Sequence, residues 1–168
     1  MKNIILTGFM GTGKTEVGRI LSKKMGRRLV DVDGMIEDEQ KMTVSDIFRE
    51  FGEQRFRDLE ADAVRRLSEM SNLLISTGGG VVLREENLES LRKNGTVICL
   101  TASPETILKR VCSNSDRPLL QVDDPLARIK ELVETRRKYY ERSDMVIDTE
   151  DRTPLEVAEE IITRVSGD

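Results

Sequence analysis

At 168 residues, 38% of them hydrophobic and 35% charged, the chain is long enough for a sizeable core and too short for two full domains. Its net charge of −4 and pI near 5.2 argue against a general nucleic-acid or membrane surface. It contains no histidine, so any general base must be a carboxylate, a lysine, a tyrosine or water.

The first apolar run, Asn3–Leu6, reads as a strand. It is far too short for a secretory leader or for the ~20 apolar residues of a membrane span, so a cytoplasmic protein is expected. It runs into a glycine-rich octet at 8–15, after which Val17, Ile20 and Leu21 mark a helix over 14–25. A second strand, Leu29–Asp31, precedes helices near 34–40, 44–51 and 53–70. Strands Leu73–Ser76, Thr96–Leu100 and Met145–Asp148 then alternate with helices near 85–93, 104–112, 125–142 and 154–165. Such alternation predicts an α/β protein with a mostly parallel sheet covered by helices on both faces. Ser103-Pro104, Asp124-Pro125 and Thr153-Pro154 each read as an N-cap followed by proline at the first helical position. The polar stretch Ser113–Asp124 has no clear periodicity, and a connection of that length is usually either functional, as a lid, or disordered. Cys99 and Cys112 lack metal or redox spacing and are expected to be small core hydrophobes in a reducing compartment.

The octet Gly8-Phe9-Met10-Gly11-Thr12-Gly13-Lys14-Thr15 fits G-x-x-x-x-G-K-[ST] and has the strand–loop–helix context that motif requires. Gly8, Gly11 and Gly13 let the backbone curl around an anion, and the helix N-terminus adds its N–H groups and dipole. Lys14 is expected to reach the terminal phosphates of a nucleoside triphosphate, and Thr15 to offer its hydroxyl to Mg²⁺.

Asp31-Val32-Asp33 closes the second strand, where side chains border the ligand crevice of such a sheet. Strict alternation sends the two carboxylates to opposite sides, whereas a break after the strand turns both inward. One then suits Mg²⁺ and the other a substrate hydroxyl; a helix N-cap or polar turn is the competing reading. Arg57 and Glu60 lie at i, i+3 on an amphipathic helix. The carboxylate can hold the guanidinium for a substrate carboxylate, or the pair is solvated decoration. Ser76-Thr77-Gly78-Gly79-Gly80 follows the apolar Leu73-Leu74-Ile75, so its glycines mark either close backbone approach to a ligand or a plain turn. Ser76 stands near the place where the usual second nucleotide motif has an aspartate, which draws attention to Asp31 as the carboxylate on the Mg²⁺ side. Arg110, Arg117 and Arg136 complete the set, although by themselves they read more readily as surface residues than as site residues. Arg117 sits in the expected lid, and Arg136 shares a helix face with Tyr140 in a segment carrying six Lys/Arg against three Glu.

Together these pieces resemble the shikimate kinase family over nearly the whole chain. The resemblance rests on the octet followed by Val17-Gly18-Arg19, on Asp31-Val32-Asp33, and on Ile47-Phe48, Gly52-Glu53, Phe56-Arg57 and Glu60. Thr77-Gly78-Gly79-Gly80-Val81-Val82 and Arg117-Pro118-Leu119-Leu120 follow in order. It implies a three-layer α/β/α P-loop kinase fold with a five-stranded parallel sheet, and one domain over 1–168. It also implies a mobile lid near 113–124 and substrate-binding helices near 34–60. The implied reaction transfers the γ-phosphoryl group of ATP to the 3-hydroxyl of shikimate, on the route to chorismate, in a monomer that binds neither nucleic acid nor membrane.

Carried over residue by residue, Gly11, Thr12, Gly13, Lys14 and Thr15 hold the ATP phosphates, Arg110 packs against adenine, and Arg117 closes over the transferring group. Thr15 and Asp31 serve Mg²⁺. Asp33 binds the attacking hydroxyl and acts as base, for which a loose transition state demands no raised pKa. Arg57, oriented by Glu60, joins Arg136 and the Gly78, Gly79 and Gly80 backbone in holding shikimate. Lys138 stands where the family often has proline, and Arg137 beside Arg136 leaves two registers for the substrate arginine. A kinase for another polyol acid such as gluconate, and a nucleotide-binding module without catalysis, are the competing readings. Arg57, Glu60 and the triple glycine favour a rigid carboxylate-bearing ring over the first. The presence of Lys14, Asp33 and Arg117 opposes the second.

Overall fold

The computed structural model describes residues 1–112 and 122–167. Five strands, β1 (Asn3–Thr7), β2 (Arg28–Asp31), β3 (Leu73–Ser76), β4 (Gly95–Thr101) and β5 (Met145–Asp148), form one sheet in the order β2-β3-β1-β4-β5. Every pairing is parallel, with Leu6 opposite Ser76 and Asp31 also opposite Ser76. The three central strands are apolar on both faces, as a doubly covered parallel sheet demands. Alternation divides them between two cores. Ile5, Ile75, Val97 and Cys99 face one core, and Ile4, Leu6, Leu74, Ile98 and Leu100 face the other.

The second core is closed by α1 (Lys14–Met25) and α7 (Pro154–Ser166), through Val17, Leu21, Val157 and Ile161. The first is closed by α2 (Val32–Gln40), α3 (Val44–Ser68), α4 (Glu85–Lys93), α5 (Pro104–Val111) and α6 (Pro125–Tyr140). The three Pro-led helices start where expected. Ser103, Asp124 and Thr153 each accept an N–H from the first turn, and Thr153 completes a capping box with Glu156.

The structure departs from the sequence reading in four places. Helix α2 begins at Val32 rather than 34, because the Asp31 side chain caps it by accepting the Gly34 N–H. The helices expected at 44–51 and 53–70 run on as α3, broken only at Gly52. A 3₁₀ turn, Val81–Leu83, follows the glycine run. Cys99 is buried as expected, but Cys112 is exposed: Ile107 and Val111 form the buried face of α5, and Cys112 lies just beyond it. Most of the expected lid, 113–121, lies outside the described residues, and Arg117 with it.

Gly52 holds φ 81°, ψ 168°, a region open essentially to glycine, while a Cβ there would meet nothing within 4 Å. Its replacement should therefore act through the backbone alone. Gly52→Ala is expected to lower the unfolding free energy by about 1–3 kcal/mol in urea titrations. An unchanged midpoint would mean that α3 straightens through the break at no cost.

Candidate active site

The carboxyl ends of β1, β2 and β3 open on a cavity of about 650 Å³ that α6 and the segment after β5 also border. Gly11–Thr15 form its phosphate-loop wall. Gly8, Gly11 and Gly13 take φ of 134°, 74° and 94°, and a Cβ on Gly8 would lie 2.2 Å from the Leu100 carbonyl oxygen. Lys14 heads α1 and folds back, its Nζ donating to the Gly8 and Phe9 carbonyls at 2.8 and 2.9 Å. The Thr12 hydroxyl donates to the Phe9 carbonyl at 2.7 Å. Helices α2, α3, α5, α6 and α7 have a side-chain cap, whereas α1, behind Gly13, and α4, behind Arg84, have none; of these two only α1 opens on the cavity. The first N–H groups of α1 are thus left for an anion in the cavity.

Across from this loop, the direct passage from β2 into α2 brings both aspartates to the cavity. Asp31 takes the N-cap role, one carboxylate oxygen accepting from the Gly34 N–H at 3.1 Å, and the residue also lines the cavity. Asp33, in the first turn of α2, has its Oδ1 sealed from water with no hydrogen-bond partner among the described residues. Burial, reinforced by the Asp31 charge, pushes its carboxyl up to about 6 against the pull of Lys14 and Arg57. The sequence reading asked for no such shift.

The pair on α3 is not solvated decoration. Arg57 Nη1 donates to Glu60 Oε2 at 2.9 Å, with the Arg57 side chain 13% and the Glu60 side chain 1% exposed. Phe56 and Phe48 flank the guanidinium, with ring centroids 5.2 and 6.0 Å from Cζ. Glu53, which the sequence reading did not single out as a partner, accepts from Nε and Nη2 at 3.3 and 3.2 Å. A bonded partner at spacing i, i+4 was its available signal.

Burial pushes the Glu60 carboxyl up to about 7 despite Arg57, and its Oε1 has no partner among the described residues. Between the ordinary value near 4.5 and the folded value near 7, the unfolded chain holds fewer protons than the native one. This group's contribution to stability is therefore present at low pH and lost as pH rises through that window. Glu60→Gln is expected to shift the stability-versus-pH curve upward toward pH 8 relative to pH 5, read from urea midpoints. A constant offset between the two proteins would mean that Glu60 titrates normally.

The triple glycine lies in a crowded corner of the site. A Cβ on Gly78 would lie 3.0 Å from Asp33 Oδ1 and 3.4 Å from Glu60 Oε1. One on Gly79 would lie 3.1 Å from the Gly8 carbonyl oxygen, and one on Gly80 only 2.4 Å from both Nη atoms of Arg57. Arg136 lines the cavity with Cζ 5.7 Å from the Phe9 ring centroid, whereas Arg137 turns outward, 61% exposed, to pair with Glu134. Of the two neighbouring arginines, Arg136 is the one that borders the cavity.

Arg110 borders the cavity and donates to the Thr149 hydroxyl and carbonyl at 3.0 and 2.9 Å and to the Gly11 carbonyl at 3.3 Å. Thr149, Arg152 and Pro154, which the sequence reading overlooked as site residues, line the same end. Their signal was their place just past the carboxyl end of β5. Among the described residues no group of three or more Cys, Asp or Glu could hold a metal ion.

An uncapped helix behind a glycine-rich loop, facing buried acidic and basic groups across one cavity, defines a P-loop phosphotransferase for a small acceptor. The family model described as Shikimate kinase matches residues 10–166. A shikimate kinase of Thermodesulfovibrio yellowstonii is 52% identical over 162 residues, which is 96% of this chain and 94% of that one. Among solved structures, shikimate kinase from Acinetobacter baumannii in complex with shikimate has a TM-score of 0.94 at 33% identity, covering 99% of this chain and 94% of that one. Shikimate kinase from Aquifex aeolicus has a TM-score of 0.82 at 35% identity, covering 98% and 96%. The chain belongs to the shikimate kinase family and is an ATP-dependent phosphotransferase that phosphorylates shikimate.

Proposed function

We propose that ATP and shikimate lie side by side in this cavity, with Asp33 on the attacking 3-hydroxyl, and that positioning and charge stabilisation supply most of the acceleration. The reading is carried by one convergence. Asp33, a carboxylate with one oxygen sealed from water, and Arg57, a clamped guanidinium, border the cavity that also receives the uncapped start of α1. Arg57, a planar fork suited to a carboxylate, binds the acid group of the substrate together with Arg136, and Glu60 holds Arg57 in orientation. The Gly78, Gly79 and Gly80 backbone closes against the ring. Asp33 accepts the hydroxyl proton as the oxygen attacks phosphorus, and the products are shikimate 3-phosphate and ADP.

On the nucleotide side, the Gly11–Thr15 backbone cradles the phosphates while Lys14 leaves its two carbonyl partners for the terminal ones. Arg110 packs against adenine. The residues present suit Mg²⁺: the exposed Thr15 hydroxyl and the Asp31 carboxylate border the same phosphate loop. This ion favours oxygen ligands and keeps several waters, so it needs no preformed cage. When bound it supplies charge neutralisation at the phosphate oxygens. Arg117 is assigned to the transferring phosphate on its R-P-L-L motif alone, within a lid over 113–124. One domain acting as a monomer in the cytoplasm completes the reading. A net charge of −4 is in keeping with small-molecule substrates, and no helix among the described residues is long and apolar enough to cross a membrane.

The test is Mg²⁺-dependent ADP release from ATP with shikimate, with gluconate or with no acceptor. Release that appears only with shikimate and Mg²⁺ is expected. Equal release with gluconate, or none with shikimate despite ATP binding, would overturn the acceptor side of the reading.

A further inference from the structure

We infer that Tyr140 is a positioning residue for the acceptor: its hydroxyl locks the triple-glycine loop against the phosphate loop. Tyr140 ends α6, is only 6% exposed, and donates its hydroxyl to the Gly79 carbonyl at 2.8 Å. A trans peptide points its C=O and the following N–H in opposite directions, and none of the described peptides is cis. The bond to Tyr140 therefore also fixes where the Gly80 N–H points. This matters because Gly78–Gly80 has no side chain of its own to lock it, and glycine rotates readily between backbone states.

The loop is also tied to its neighbours by contact. The Gly79 Cβ position is 3.1 Å from the Gly8 carbonyl oxygen and 3.5 Å from Phe9 Cα, so Gly79 rests on the start of the phosphate loop. Phe9 in turn lies under the Arg136 guanidinium, one turn before Tyr140 on the same face of α6. Tyr140 thus sits where α6, the phosphate loop and the triple-glycine loop meet. Burial pushes its phenol up to about 12, so it stays a donor throughout the working range of pH. Among the described residues it is the last-turn side chain of α6 that reaches this loop by a hydrogen bond.

The inference rests on the proposed use of the Gly78–Gly80 backbone to hold shikimate. Its test is Tyr140→Phe, which keeps the ring and its packing and removes the hydroxyl alone. One buried hydrogen bond corresponds to an effect of about five- to tenfold, expected as a rise in KM for shikimate. KM for ATP and kcat should stay close to wild type, and Tm should fall by no more than a few degrees, the cost of one hydrogen bond. Tyr139→Phe, at the neighbouring ring that faces the Lys138 ammonium, serves as the control and should leave all four unchanged. An unchanged KM for shikimate in Tyr140→Phe overturns the inference. So does a parallel loss in both KM values and Tm, which would mark a merely structural residue. If wild type itself shows no shikimate-dependent ADP release, the acceptor assignment falls and the inference with it. A responding wild type beside an indifferent Tyr140→Phe sinks the inference alone.

Discussion

Asp33→Asn is expected to lower kcat at saturating ATP and shikimate by about 10²–10⁴-fold, the range that a positioned proton acceptor contributes. The amide has the same shape and can still hydrogen-bond the acceptor hydroxyl, so KM for shikimate should change much less than kcat. The environment supports a role beyond orientation. Burial and the neighbouring Asp31 charge hold the Asp33 carboxyl up to about 6, making it a better proton acceptor than an ordinary aspartate while leaving it mostly ionised at pH 7. The sign of the pH effect follows. In wild type, kcat/KM for shikimate should rise with pH through a midpoint near 6 as Asp33 loses its proton. In the Asn variant that limb should be absent from the residual rate. Near-normal turnover of Asp33→Asn at saturating substrate would reduce Asp33 to a group that only orients the hydroxyl, with its proton released after phosphorus has moved.

What the sequence made legible was what local chemistry decides. The apolar runs of β1, β3 and β4 are buried on both faces, and Ser103, Asp124 and Thr153 cap their proline-led helices because a short polar side chain and a fixed φ act within one turn. The phosphate loop was legible for the same reason. What stayed hidden depends on groups distant in sequence. Nothing at 57 or 80 by itself reveals that the Arg57 guanidinium will lie against Gly80, because the approach depends on how α3 packs beside the 3₁₀ turn that follows the glycine run. The spacing to Tyr140 favoured Arg136 over Arg137, but that Arg136 stacks on the Phe9 ring, far away in sequence, was not legible. Thr149, Arg152 and Pro154 carry no motif and join the site only because β5 ends at the same edge as β1. Cys112 was misread because an apolar character says nothing about which side of the α5 end faces the core.

Gly80→Ala is expected to raise KM for shikimate by about 10- to 100-fold, the equivalent of one hydrogen bond to a charged group, while leaving the fold almost as stable as before. Gly80 has φ −94° and ψ −7°, a negative-φ turn conformation open to alanine, so the backbone resists little. The conflict is with the Arg57 side chain, whose Nη atoms lie 2.4 Å from where the new Cβ would stand. A guanidinium at the end of a flexible chain can swing away cheaply as far as folding is concerned. For binding the move is costly, because Glu60, Glu53 and the Phe56 ring hold the fork in the orientation a substrate carboxylate needs. Tm should therefore stay within a few degrees while acceptor affinity falls, a split that core destabilisation does not produce. A double-mutant cycle isolates the cause: on an Arg57→Ala background, Gly80→Ala should cost little more, because the group it displaces is already gone. If the full penalty persists there, Gly80 acts on shikimate through its own backbone and not through Arg57.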